Sequence, residues 1–233
     1  DVDRITEEWK LRFGANVDYD EDNYTYPDTD PYLSFSRRFD AHANIVKSLS
    51  DHWSLAVYSG FLSSTYRNIR ENYRVGPAIE YNIFPYSEST YREIRFSYSL
   101  SYNYNIYFEE TIFNKLEESL FRQNFDVNSE FKQPWGQIEV AAGYSNYLHD
   151  VSKNRVRLYS DLSINFFEGF AFSFGVGYSM IHDQISLPAR DLDLDEILLR
   201  RNEIATQYNY WMHYGISYTF GSIYNNIVNP RFN

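Results

Sequence analysis

Ile94-Arg95-Phe96-Ser97-Tyr98-Ser99-Leu100-Ser101-Tyr102-Asn103-Tyr104-Asn105-Ile106 is the stretch that decides the fold. Every second residue is apolar or aromatic, and the residues between are serine, asparagine or arginine. Successive side chains of a β-strand point to opposite faces, so this segment has one apolar face and one polar face. The rhythm recurs at roughly 8–19, 32–47, 53–66, 73–84, 120–132, 137–148, 155–167, 170–182 and 207–220. Short connections fall at 49–52, 85–90, 134–136 and 168–169, and longer polar ones at 20–31, 67–72, 108–119, 149–154 and 183–206. Short turns on one side and longer loops on the other are the pattern of a membrane barrel. The expected fold class is therefore all-β: an antiparallel up-and-down transmembrane β-barrel, ten strands visible, in a single domain over 1–233. An even strand count puts both ends of the chain on the short-turn, periplasmic side.

Composition agrees with that reading. The chain has 23 Tyr and 18 Phe, yet its mean hydropathy is −0.54. An apolar outer face with a polar lumen and polar loops combines these two properties. No run approaches the ~18 apolar residues of a spanning helix. A soluble sandwich or lipocalin-like barrel would bury the apolar face instead. It would then have to satisfy many tyrosine hydroxyls inside, while the Gly and Ser of 94–106 and 170–182 faced water. The absence of cysteine excludes disulfides and thiolate metal sites. A formal net charge of −11 argues against a nucleic-acid partner. The opening Asp1-Val2-Asp3 reads as a mature or trimmed start, with a signal and an upstream domain expected before it.

The last strand carries His213-Tyr214-Gly215-Ile216-Ser217-Tyr218-Thr219-Phe220. Gly215, Tyr218 and Phe220 fit the terminal-strand signal by which the barrel-assembly machinery would add this strand to a sheet edge. The chain runs on past it to Asn229-Pro230-Arg231-Phe232. This tail, with Phe220-Gly221-Ser222, Lys47-Ser48-Leu49-Ser50-Asp51-His52-Trp53, Asn82-Ile83-Phe84-Pro85-Tyr86 and Lys132-Gln133-Pro134-Trp135-Gly136, resembles a family of uncharacterised outer-membrane barrels. That family is distantly similar to the group described as salt-induced outer-membrane proteins. The resemblance implies further strands before Arg4-Ile5-Thr6-Glu7-Glu8-Trp9, so a twelve-stranded barrel in the full protein. It implies no activity and no site residues.

The polar faces place Arg12, Arg38, Arg74, Glu80, Arg95, Arg122, Asp126, Glu139, Arg155, Arg157 and Asp161 in the lumen. A symmetric hairpin at 85–90 would put Glu80 opposite Arg95. Small barrels are filled by side chains, whereas open channels need many more strands, so a lumen packed with salt bridges is expected before an open pore. Asp18, Asp20 and Asp22, with Asp28 and Asp30, form an acidic loop and a weak divalent-cation candidate, without the spacing of a calcium loop. In the loop 187–206, Asp193 would cap a short helix carrying Leu194, Ile197, Leu198 and Ile204, a plug or partner-binding element. His149-Asp150 and His182-Asp183 are adjacent pairs at loop ends where an Asp/His site is conceivable, but a strand-end His beside Asp is common without chemistry, so the chain is read as no enzyme. The expected function is a structural or partner-binding outer-membrane component. A narrow pore for ions or small solutes is the alternative, and an outer-membrane hydrolase the third reading. The expected partners are outer-membrane lipid and lipopolysaccharide, the assembly machinery, and another membrane or periplasmic protein. No cofactor is expected.

Overall fold

The computed structural model describes residues 2–24, 32–167, 169–190 and 203–219. Eleven strands form one antiparallel sheet in which each pairs with its sequence neighbours. They are β1 (Val2–Ile5), β2 (Trp9–Tyr24), β3 (Tyr32–Ser48), β4 (Trp53–Ser64), β5 (Ile69–Asn82), β6 (Arg92–Tyr107), β7 (Glu117–Gln133), β8 (Gly136–Tyr147), β9 (Asp150–Phe167), β10 (Phe170–Ile181) and β11 (Tyr208–Tyr218). The expected all-β, up-and-down architecture is the one observed. Among the described residues a single 3-10 turn, Tyr86–Glu88, interrupts it. Among the described residues no helix is long and apolar enough to cross a membrane, which says nothing about strands.

One strand more than the expected ten is present. β1 pairs with β2 over Val2↔Phe13 to Ile5↔Lys10, and four residues are too few for periodicity to reveal. With it, the parity argument for the chain ends no longer holds. Strands β1 and β11 run the same way, so they do not close on each other in an antiparallel ring.

The two faces follow the alternation in the sequence. Trp9, Phe13, Val17, Ile45, Leu55, Val57, Tyr98, Val140, Leu158 and Tyr178 are exposed on the outside. The inward positions are polar or small, and buried residues there include Ser54, Asn72, Ser101, Asn105 and Ser145. Glycines on this face make room for large neighbours. A methyl at Gly60 would stand 2.5 Å from Arg74 Nε, and one at Gly175 would stand 2.2 Å from the His213 ring. The sheet curls far enough that Leu62 of β4 and Arg157 of β9 line one cavity.

Several boundaries move. The expected loop at 20–31 is strand as far as Tyr24. The expected long loops at 67–72 and 149–154 shrink to 65–68 and 148–149, and the turn at 83–91 is correspondingly longer. That turn shifts the register: Asn82, not Glu80, faces Arg95, and Glu80 faces Ser97. Asn82 is fully buried, and its Oδ1 accepts from the Phe84 and Ile94 amides. The anchored side chain makes the hairpin asymmetric.

Candidate functional site

The interior is organised by a segment that sequence periodicity does not reveal. After β10 the chain turns inward instead of outward, and 183–187 crosses the loop end of the lumen with Asp183, Ile185, Ser186 and Leu187 buried. We call 182–190 the strap. Ile185 packs with Leu120 of β7 and Tyr147 of β8 in a small apolar cluster inside the wall. Pro188 bridges to Thr111, while the Ile112 amide donates to the Leu187 carbonyl and the Ala189 amide to the Glu110 carbonyl.

Two side chains latch the strap to the wall. Asn68, in the turn between β4 and β5, has φ 57, a conformation asparagine tolerates better than most residues. Its Nδ2 donates to the carbonyls of Glu109 and Ser186, each at 3.0 Å, and its Oδ1 accepts from the Glu109 amide at 2.8 Å. The second latch is Asp183, whose side chain is 3% exposed. Its carboxylate lies 2.8 Å from Arg122 Nη2 and 2.8 Å from Arg155 Nη2. Charge-assisted contacts of this kind are the stronger hydrogen bonds.

Beneath the strap lies a cavity of about 310 Å³. Arg67, Arg74, Arg122, Arg155 and Arg157 line it, against the carboxylates Asp183 and Glu203. Asn72, Asn103 and Asn105 add amides. Arg157 also meets Asp126 at 3.2 Å. Among the described residues Arg67 and Arg74 have no carboxylate within ion-pair distance, and Arg122 Nε is buried without an acceptor. The same wall is acidic further down: Glu139 of β8 stands opposite Glu130 of β7 and Asp161 of β9. Lys132 meets Glu130 at 2.8 Å, and His213 meets Asp161 at 3.5 Å.

The turn end is also covered. Tyr86 folds back over the lumen, donating its hydroxyl to Glu80 at 3.1 Å and accepting from Ser54 Oγ at 3.1 Å. Burial, reinforced by the nearby Glu80 carboxylate, holds the Tyr86 phenol above its ordinary value, so it stays a neutral donor.

The sequence-derived lumen charges can now be placed. Arg12 pairs with Asp3 of β1 at 3.0 Å, and Arg38 pairs with Asp40 at 2.9 Å and lies 4.0 Å from Asp18. Arg95 meets Glu80 at 3.5 Å, diagonally and not face to face, and also Glu93 at 3.3 Å. Asp18 and Asp20 share a face of β2 and not a loop, with Glu21 on the other face. No group of carboxylates and histidines able to hold a metal gathers among the described residues. Asp28, Asp30, Phe220, the helix expected after Asp193 and the tail lie outside the described residues, as does the side chain of Asp22. Gly215 and Tyr218 sit on edge strand β11, Gly215 opposite Ser173 and Tyr218 opposite Phe170.

Neither acidic neighbour of the loop-end histidines turns to its histidine. Asp150 accepts from Ser152 Oγ at 2.6 Å, and Asp183 is held by the arginines. Sequence reasoning missed Arg67 and Asn68, which it left in a loop, and gave Asp183 a different role. The one available signal was an Arg-Asn pair in a short turn after a strand.

No protein-family model matches the chain, and no curated protein matches it. The resemblance to the salt-induced group gains no support from these comparisons. Among solved structures the chain is similar to a NanC porin in a rhombohedral crystal form, at 11% identity and a TM-score of 0.43, over 91% of this chain and 98% of that one.

Proposed function

We propose that this chain is an outer-membrane β-barrel that passes small hydrophilic solutes through a lumen narrowed by its own strap. The observation that carries the reading is the interior charge. A lumen packed dry would have to pair its charges, whereas a wetted lumen can leave guanidiniums to water. Here Arg67 and Arg74 are exposed to a polar cavity, without a carboxylate partner among the described residues, and Arg122, whose Nη2 meets Asp183 and Ser145, leaves its Nε without an acceptor. Water and solute are the natural counterparts for such groups. The outward face supports the membrane setting: exposed Trp, Tyr, Phe and aliphatic residues cover it strand after strand, as lipid requires.

The structural, partner-binding reading keeps one observation in its favour, the seating of Ile185 with Leu120 and Tyr147, which narrows the loop end. Single-channel recording in a planar bilayer separates the two. The intact protein is expected to give steady, salt-dependent current steps. Replacing 184–206 with a short Gly-Ser linker is expected to enlarge them. Steps seen only in the linker variant would make the strap a permanent plug, and silence in both would return the lumen to a packed role.

A further inference from the structure

We infer that the cavity under the strap is a binding site for a small anion bearing a carboxylate or phosphate group. The inference rests on the pore reading for its biological use, and on the cavity alone for its chemistry. Five arginines against two carboxylates make this pocket basic in a chain whose net charge is −11. The surplus is local, because the acidic row of Glu130, Glu139 and Asp161 lies lower on the same wall.

The arginines differ in availability. Arg122 and Arg155 are committed to Asp183, at 2.8 Å each, and this ties the strap to the wall of the pocket. Arg157 is shared with Asp126. Of the five pocket arginines, Arg67 and Arg74 are the two without an ion pair among the described residues, Arg67 in the turn before β5 and Arg74 within it. A guanidinium offers a planar fork of donors that matches carboxylate or phosphate oxygens two at a time. Asn105 adds an uncharged amide to the same space, its Oδ1 accepting from Asn72 Nδ2, while Asn103 Nδ2 is held by Ser101. Low-dielectric walls focus the field of such a pocket and raise the local anion concentration.

The test uses the whole protein in non-ionic detergent, titrated calorimetrically with inorganic phosphate at low salt. Wild type is expected to bind saturably, one phosphate per chain, and to lose affinity as KCl rises. Arg67→Gln with Arg74→Gln is expected to weaken binding at least about tenfold, as loss of charge-assisted contacts implies. Arg74→Lys alone should keep most of it. Arg12→Gln, which breaks a pair with Asp3 at the other end of the lumen, should leave it unchanged. Absence of saturable binding in wild type overturns the inference, as does equal binding in the double glutamine variant. If the double variant does not fold, Arg74→Gln and the salt dependence of wild type decide by the same criteria. The two readings fail separately. Silence in the bilayer with phosphate binding intact removes the pore and keeps the site. Conduction without anion preference and without phosphate binding removes the site and keeps the pore.

Discussion

Single residues decide whether the strap stays inside. Asp183 is almost fully buried between Arg122 and Arg155, and removing one member of a buried pair leaves the other charge exposed to a poor solvent. Asp183→Asn is therefore expected to cost about 3 kcal/mol. Thermal unfolding in detergent would read this as a lower midpoint, and limited proteolysis as cleavage near 184–190. An unchanged midpoint would mean the two arginines do not depend on this carboxylate. Gly76 sets a different constraint. A methyl there would stand 1.9 Å from the Leu100 carbonyl oxygen, and Pro77 beside it has no amide to give to the ladder. The register between β5 and β6 lapses at this point, resuming at Ala78↔Ser99. Gly76→Ala forces the two backbones apart and should cost on the order of 1–3 kcal/mol, as overpacking does. Urea titration followed by the shift in gel migration between heated and unheated samples would measure it.

At the scale of elements, the strap and the turn at 83–91 are the moving parts of the account. Asn68 ties three segments together through one amide. Asn68→Ala removes the donor to the buried Ser186 carbonyl and the acceptor for the Glu109 amide, and the orphaned buried carbonyl alone costs about 1–3 kcal/mol. Its expected effect in the bilayer is a shift toward longer or larger openings, without loss of the folded band on a gel. A current trace like wild type would show that the apolar seat of Ile185 holds the strap unaided.

The strands themselves were legible from the sequence because a two-residue period needs no long-range information. The faces of 94–106 and 170–182 came out as read. The strap was not legible, because its position depends on contacts from 183–188 to Asn68, Thr111, Arg122 and Arg155, all far away in sequence. The Glu80–Arg95 register was misplaced for a related reason. A nine-residue turn with a 3-10 segment and a buried Asn82 cannot be counted as a symmetric hairpin. β1 escaped notice because it shows only as a partner of β2.

For the whole molecule, the account stands on a wall with two kinds of surroundings. Every backbone group within lipid must be paired inside the protein, which strands achieve side by side. On the proposed membrane reading the outward aromatic face meets lipid, with Trp9 and Trp53 at the turn end, where Trp53 packs on Tyr81 at 4.7 Å between ring centres. Such rings belong at the headgroup level. Trp211 points the other way, over Gly177 on the inner face, and stacks on His213. These residues give the most direct measurement. Variants keeping one tryptophan each, the others changed to Phe, would be refolded into vesicles of brominated lipid and their fluorescence recorded. The account predicts that Trp9 and Trp53 are quenched by the bromines, while Trp211 is spared by lipid and quenched by iodide in water. Lipid quenching of Trp211 equal to that of Trp9, or no lipid quenching at any of the three, would contradict it.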